Sequence, residues 1–561
     1  MLTIHAAGVC APAARRSRQS AVSLSARHAL RRCGPPIGMR LGLYIAALLA
    51  LATGARSARI LGLFAHTGKS HQMVFDPLLA TLADRGHHVT VASFFPFKNP
   101  PANLTHVSLE GIAPVGFASL DLAWIENSNK AVKYLGLERI VNMIAAFQPL
   151  DEMALNVCRR LVDWPPLSEA LRKDYDLIIL ENFNSDCMHG LIHVYGHKAP
   201  IVAASSTTLM PWTYYRLGLN DNPSYVPILT GLFATKMSFW ERLENTVCLT
   251  YYKYWYRQSV QVKEQEILEK HFGKKLPDLY EVTKNISLVI TNTHHSLHGV
   301  RPSLPAVVEA NGMHLDHARK PIPERFLNES SEGVVLVSFG SLIRTSTLPK
   351  YKEDIIVKAL SKLKQRVIWK YEDSGDEGTL LGNILKVKWV PQYELLRHHK
   401  VLAFFAHGGL LGITEAVSAG KPMVVMPFFG DQPSNAAMVR EAGVAEVVSY
   451  QELDEKALYE ALQKVVGADV RVKARRLSSI WWDRQVNPLD NAVYWTERVL
   501  RWGHEAPLHS SARDLSYIEI ALLDVIATIV VALIVLLVIL KYTLSLIPWF
   551  LGAGNKKEKI H

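Results

Sequence analysis

Cysteine is scarce: five residues in 561, of which Cys10 and Cys33 fall in the first 58 positions and leave Cys158, Cys187 and Cys248. No metal-type spacing exists among these three, which excludes a zinc-built fold, and one disulfide in an oxidising compartment stays open without the pair being fixed. Lysine and both acids are absent from residues 1–58, which hold eight Arg, so the formal charge of +11 falls to +3 for the rest of the chain. The basicity belongs to a leader and gives no nucleic-acid-binding face. Glycine is missing where a phosphate loop needs it: Gly68-Lys69-Ser70 follows an apolar run, but the first glycine of G-x-x-x-x-G-K-S would stand at Leu63, and Gly62 misses by one. A nucleotide triphosphatase is excluded on that count. Short repeats and low-complexity tracts are absent as well.

What is present is a chain of 49% hydrophobic and 20% charged residues, globular or membrane-tethered rather than disordered, and long enough for two folded domains with additions. Met39-Arg40, the apolar stretch Leu41–Ala52 and Thr53-Gly54-Ala55 have the charged start, apolar middle and small-residue exit of a secretory signal. The expected leader is 1–58 with the signal at 39–58; residues 1–38, Arg-rich and acid-free like a transit peptide, are read as an upstream extension with Met39 as the working start. Near the other end Ala521–Leu540 is apolar apart from Asp524 and Thr528, and twenty helical residues reach about 30 Å, the hydrocarbon thickness. A transmembrane helix is expected at 518–541. Lys541, Lys556, Lys557 and Lys559 follow it, and Asp514 and Glu519 precede it, so the tail 542–561 is expected in the cytosol and the body in the lumen. Lys557 and Lys559 fit either an endoplasmic reticulum retrieval signal or a plain basic flank. Sequons at Asn103, Asn285 and Asn328 suit a lumenal glycoprotein.

Between the ends, apolar runs at Ile60–Phe64, Val89–Phe94, Leu177–Leu180 and Ile201–Ala204 alternate with helical patterns, and the alternation returns at Val334–Phe339, Val367–Trp369, Val401–Ala406 and Met423–Pro427. Strands separated by helices imply parallel sheets covered on both faces. The fold class is therefore α/β: two doubly wound Rossmann-like domains facing a cleft, at 59–300 and 326–512. A Pro-rich linker occupies 301–325, and helices from Trp481-Trp482 to Trp502 follow the second alternation. The cleft is the expected site.

One stretch carries the chemistry: W-V-P-Q from Trp389, A-H-G-G from Ala406, and P-F-F-G-D-Q ending at Gln432. His407-Gly408-Gly409 turns from a strand into a helix. Glycines there let a backbone approach a ligand, and the helix start presents unpaired N–H groups suited to a diphosphate. Trp389 offers a flat face to a base, Gln392 a donor and an acceptor at its edge, and Glu415 an acceptor for ribose hydroxyls.

These residues resemble the signature of the UDP-glycosyltransferase superfamily, which includes membrane-bound UDP-glucuronosyltransferases and their invertebrate relatives, and the resemblance runs from about Arg59 to the C-terminal apolar segment. It implies a GT-B fold whose helices from Trp481-Trp482 to Trp502 pack back across the first domain, uracil on Trp389, uracil or ribose on Gln392, phosphate on Ser341, His407 and the Gly409 turn, ribose on Glu415, and sugar hydroxyls on Asp431 and Gln432. Ala406 and Leu411 depart from the pattern, where many members have Thr or Ser and some have Asn. It also implies a base in the loop after the first strand, where Ser70-His71 matches a Ser-His pair, with His66 as the rival. A carboxylate should orient that base, and Asp186 is preferred over Glu181. Thr291 stands where vertebrate glucuronosyl enzymes carry Arg, favouring UDP-glucose over UDP-glucuronate. The expected acceptor is a small lipophilic alcohol such as a phenol, sterol or xenobiotic, lying around Trp212, Tyr214, Tyr215, Phe239 and Trp240. No metal and no cofactor beyond the UDP-sugar co-substrate are called for, association into a homo-oligomer is left open, and the rival reading is a membrane protein that binds UDP-sugars or lipophiles without reacting them.

Overall fold

The computed structural model describes residues 57–115, 122, 138–315, 322–375 and 378–553; the leader through residue 56, and with it most of the expected signal, lies outside them, as does the basic tail from residue 554. Seven strands, β1 (Arg59–Phe64), β2 (His88–Ser93), β3 (Leu104–Ser108), β4 (Leu177–Glu181), β5 (Ile201–Ser205), β6 (Leu288–Thr291) and β7 (Val307–Glu309), form an all-parallel sheet in the order β3-β2-β1-β4-β5-β6-β7. Seven more, β8 (Val334–Ser338), β9 (Arg366–Lys370), β10 (Thr379–Leu381), β11 (Ile384–Val387), β12 (Val401–Ala406), β13 (Met423–Val425) and β14 (Ala445–Val447), form a second in the order β10-β11-β9-β8-β12-β13-β14. Only the β10–β11 hairpin is antiparallel there, turned through Gly382 at φ +59°.

The eight apolar runs coincide with β1, β2, β4, β5, β8, β9, β12 and β13. The strands they do not announce are at or beside sheet edges: β3, β7, β10 and β14 have one open flank, where polar residues are tolerated, and β6 and β11 are their neighbours. β10, for example, is exposed at every position. β7 corrects a boundary: it lies within the segment read as the linker, yet pairs with β6 as the edge of the first sheet, so the first domain extends to Glu309.

Strand direction fixes where the site must be. In each sheet the chain lays strands to one side of a central strand and then crosses to the other, reversing between β1 and β4 and again between β8 and β12. A reversal leaves a crevice at the carboxyl ends of the two strands, because the connections depart in opposite directions. At or just past the carboxyl ends of β1, β4, β8 and β12 stand, in turn, His66 to His71, Glu181, Gly340-Ser341 and His407 to Gly409.

Alternation along the strands divides the second domain's interior in two. Val335, Val337, Phe405 and Val424 face one apolar layer, and Val334, Leu336, Phe404 and Val425 face the other, as a period of two requires. The first sheet packs into one large core that also takes Ala492, Val493 and Val499 from the helix Pro488–Trp502. That helix starts after the second domain is complete and returns to the first, where Glu497 meets Arg85 at 2.6 Å. Leu508 is buried in the same core, and its carbonyl accepts from Ala306 N at 3.2 Å. Trp481 is enclosed and donates from Nε1 to Asn311 Oδ1 at 2.9 Å, a packing role. A disulfide joins Cys158 to Cys187, with Cα atoms 5.7 Å apart, and Cys248 is buried and free.

The C-terminal helix is Leu523–Ala553, and its segment Leu523–Trp549, of mean hydropathy 3.2, is wholly unburied by the rest of the chain. Its start is later than expected. The short helix Tyr517–Ile520, capped by Ser516 and Glu519, comes first, and Leu522 at φ +53° separates the two. Lys541, expected as a flank, is inside the long helix.

Candidate active site

In the first domain β1 ends at Phe64 and the chain turns into the short helix Lys69–Met73, which carries His71. β4, the neighbour of β1, ends at Glu181. His71 Nδ1 sits 3.1 Å from Glu181 Oε1 and 2.9 Å from Ser206 Oγ, at the end of β5. A carboxylate accepts only, so His71 carries its proton on Nδ1 and keeps the lone pair on Nε2. Burial lowers the His71 pKa to about 4 and raises that of Glu181 above its usual range. The imidazole is a neutral base at physiological pH.

His66, the rival base, is stacked on His71 with ring centroids 4.0 Å apart. Its Nδ1 accepts from Gly68 N at 2.9 Å, which puts the proton on Nε2 and leaves no lone pair to take another. Its backbone N–H donates to Glu181 Oε2 at 3.0 Å, holding the carboxylate in place from the opposite side. Phe183 closes the group edge-on, 4.4 Å from the His71 ring. Contrary to the expectation of no metal constellation, His66, His71 and Glu181 bring one potential ligand atom each within 4.8 Å of one another. The two imidazole planes are only 21° apart, however, so their in-plane lone pairs run side by side instead of converging.

The preference for Asp186 is corrected. Asp186 is 0% exposed and holds Arg216 Nη2 at 2.7 Å, with Gln261 Nε2 donating to the same oxygen at 2.8 Å. It begins the helix Cys187–Val194, past the turn that separates it from the strand end, and it neutralises a buried guanidinium. Glu181 meets His71 because it is the last residue of the strand beside β1.

In the second domain Gly340, at φ +76°, follows β8 and precedes Ser341. His407 leaves β12 and is clamped between glycines: a Cβ on Gly340 would lie 2.7 Å from its Cε1, and one on Gly409 only 2.3 Å from its Nε2. Gly408 takes φ +90°, open to glycine alone at low cost. Gly409 starts the helix Leu410–Ser418 with no side-chain cap, and the first helical bond is Ile413 N to Gly409 O at 3.1 Å. The amides ahead of it have no intrahelical acceptor and carry the positive end of the helix dipole. Burial, seconded by Lys370, lowers His407 to about 4.

The remaining motif residues line the same space. Trp389 is 71% exposed, with Lys370 Nζ 5.5 Å from its ring centre. Gln392 Nε2 donates to Glu415 Oε2 at 2.6 Å, so the two act as one hydrogen-bonded edge. Gln432 Oε1 accepts from Phe428 N and Phe429 N at 2.9 and 3.3 Å, which reserves its amide N–H groups for a ligand. Asp431 accepts from Asn435 at 2.9 Å, and burial raises its pKa to about 6.

Both crevices open into one cavity of about 1910 Å³, lined by His71, Ser70 and Ser206 from the first domain and by Ser341, Trp389, Gln392, His407, Gly409, Glu415, Asp431 and Gln432 from the second. A single small ligand fills about 300–1,000 Å³, so two substrates fit. Its apolar wall is Met143, Phe147, Leu150, Phe183 and Leu229. The expected acceptor aromatics are elsewhere. Trp212, 1% exposed, is stacked on Tyr256 at 4.1 Å and supports Phe183 through Nε1 to its carbonyl at 2.7 Å. Tyr214, and Thr291 of the donor argument, face a second, smaller cavity. Tyr215 is stacked on Tyr280, and Phe239, 62% exposed, lies with Trp240 on the outer surface. Ser206, Phe183 and Lys370 escaped the sequence reading; their shared signal is a position at or just past the carboxyl end of a strand. Of the sequons, Asn285 and Asn328 are exposed, whereas Asn103 is half-buried and donates to Ala83 O at 3.3 Å.

The chain is similar to UDP-glucosyltransferase 2 of Dactylopius coccus, 31% identical over 92% of this chain and 98% of that one. It is also similar to UDP-glycosyltransferase UGT5 of the same insect, at 34% over 92% and 97%, and to UDP-glucuronosyltransferase 2B14 of Oryctolagus cuniculus, at 30% over 87% and 93%. Among solved structures, Arabidopsis thaliana UGT89C1 complexed with UDP-L-rhamnose shares the fold at a TM-score of 0.50 and 15% identity, over 79% of this chain and 99% of that one. The family described as "UDP-glucoronosyl and UDP-glucosyl transferase" matches residues 61–557, a span that takes in both sheets and the apolar helix, and the chain belongs to that family.

Proposed function

We propose that the enzyme transfers glucose from UDP-glucose, with inversion, to a hydroxyl of a small lipophilic acceptor. The observation that carries this reading is the neutral His71, fixed by Glu181 with Nε2 free, on the same cavity as the uncapped helix start at Gly409. His71 Nε2 takes the acceptor's hydroxyl proton. The oxygen lone pair forms a bond to the anomeric carbon from the face opposite the nucleotide. The bond from that carbon to the β-phosphate oxygen breaks, and UDP leaves with the electron pair. Its charge is met by the amides before Ile413 and by His407, donors already oriented before the reaction. Glu181 stabilises the imidazolium until the proton passes to water.

Trp389 stacks the uracil, the Gln392–Glu415 pair takes the ribose, Ser341 contacts phosphate, and Asp431 and Gln432 hold the sugar hydroxyls. The half-buried carboxylate of Asp431, with one oxygen on Asn435 and no cation paired to it among the described residues, favours a neutral hexose over a carboxylated one. The Met143, Phe147 and Phe183 wall favours flat apolar acceptors. The body is lumenal in the endoplasmic reticulum and anchored by Leu523–Trp549. The Cys158–Cys187 bridge supports an oxidising compartment, and exposed Asn285 and Asn328 support glycosylation. The test is transfer from labelled UDP-glucose and UDP-glucuronate to a panel of phenols and sterols by membranes bearing the full chain. Glucoside formation at least tenfold above glucuronide formation is expected. The reverse ratio overturns the donor, and no transfer at all favours a binding protein.

A further inference from the structure

The smaller cavity, about 650 Å³, lies apart from the cleft and is lined by Arg301, Arg484, His298, His294 and Tyr214. Arg301 stands in the connection between β6 and β7 of the first domain, and Arg484 in the segment that brings the chain back from the second. Neither guanidinium has a carboxylate within ion-pair distance among the described residues. Arg301 makes only long contacts, Nη1 to Tyr214 Oη at 3.4 Å and Nη2 to His298 O at 3.5 Å. Arg484 is spread over the Trp481 ring at 3.8 Å and spends Nε and Nη1 on the carbonyls of Trp481 and Asn311, while Nη2 has no partner. Enclosed His298, 3% exposed, leaves Nε2 unpartnered in the same wall.

Two half-enclosed guanidiniums on one cavity lose hydration, a cost that a bound anion offsets. Of the two carboxylates on this cavity, Glu309 accepts from the backbone and ring nitrogens of His295, at 3.1 and 3.0 Å, and from Thr293 Oγ1 at 3.3 Å, so that it acts on Arg484 only through space, and Asp483 lies exposed. Burial first, and then the adjacent arginines, depress His294 and His298 to about 3.

We propose that this cavity is a second ligand site, taking a small oxyanion, a phosphate or carboxylate group, between Arg301 and Arg484. Such an anion joins the β6–β7 connection of the first domain to the segment returning from the second and thereby tunes how the donor half meets the acceptor half. The inference does not depend on which sugar is transferred.

The full chain in detergent is titrated with inorganic phosphate at constant ionic strength while UDP is held at saturation, so that the nucleotide's own phosphate site is occupied, and thermal stability is read. A saturable rise in Tm that persists under UDP is expected, together with a shift of at least twofold in the donor KM. Arg301→Gln, whose side chain makes only long contacts, should weaken phosphate roughly tenfold while leaving the Tm without phosphate unchanged; Arg301→Lys should retain part of the response. Abolition of the response by UDP, or an equal response in wild type and Arg301→Gln, would overturn the site.

Discussion

The two crevices solve opposite problems with opposite materials. The second domain holds its half of the site with backbone: glycines at 340, 408 and 409, an uncapped helix start, and a histidine clamped between them. The first uses side chains gathered from distant points, with 110 residues separating His71 from Glu181 and 135 separating it from Ser206. Backbone donors suit a charge that must be met without rearrangement, whereas a base needs groups whose proton affinity can be set by burial. The comparison predicts that damage in the first domain slows the chemical step, and damage in the second weakens the donor.

The largest effect is expected from His71→Ala. Loss of the base should lower kcat by ~10²–10⁴-fold with UDP affinity unchanged in calorimetry, and a matching loss of UDP affinity would erase the division of labour. Next, Glu181→Gln should cost about 10²-fold in kcat through a misoriented imidazole, while Asp186→Asn should leave kcat alone and destabilise the fold by about 3–5 kcal/mol, since it strips a buried guanidinium of its partner. Denaturant midpoints and rates on both variants separate the two carboxylates. Gly409→Ala should raise the donor KM about tenfold, because its Cβ displaces the His407 ring and with it roughly one charge-assisted hydrogen bond. The smallest effect concerns pH. His71 with its pKa lowered to about 4 remains the free base as pH falls through 6.5, so kcat/KM should hold until about pH 4 and decline below it as Nε2 is protonated. An acid limb centred near the ordinary imidazole value of ~6.5 would show that the burial does not persist in the working enzyme.

How much of this was legible follows from the same contrast. Trp389 to Gln432 is one continuous strand-and-helix succession, so its spacing carries the geometry, and all eight expected donor residues line one cavity. Glu181 was named but ranked second, because adjacency of β4 to β1 is a fact of sheet order, which no local pattern states. Ser206 has only its place just past the end of β5 to mark it, and otherwise looks like an ordinary serine. The acceptor aromatics failed for another reason: density of Trp and Tyr in sequence is as well explained by packing, and Trp212 indeed backs the wall without facing the cavity. Thr291, read as bearing on the donor, is buried against Thr293 and Val308 and lines the smaller cavity instead of the cleft. Long, fully covered parallel strands were read easily. Edge strands such as β10, exposed throughout, were not.

The segment after the returning helix sets where the enzyme can be cut. Leu508 fills the first domain's core, and the backbone around Arg513 lies so close to Gly218 that a methyl there would come within 2.5 Å of Arg513 N. A soluble, anchor-free form made for crystallography should therefore keep the chain through Asp514 and end before Leu523, since a stop at Trp502 would unplug the acceptor half from behind.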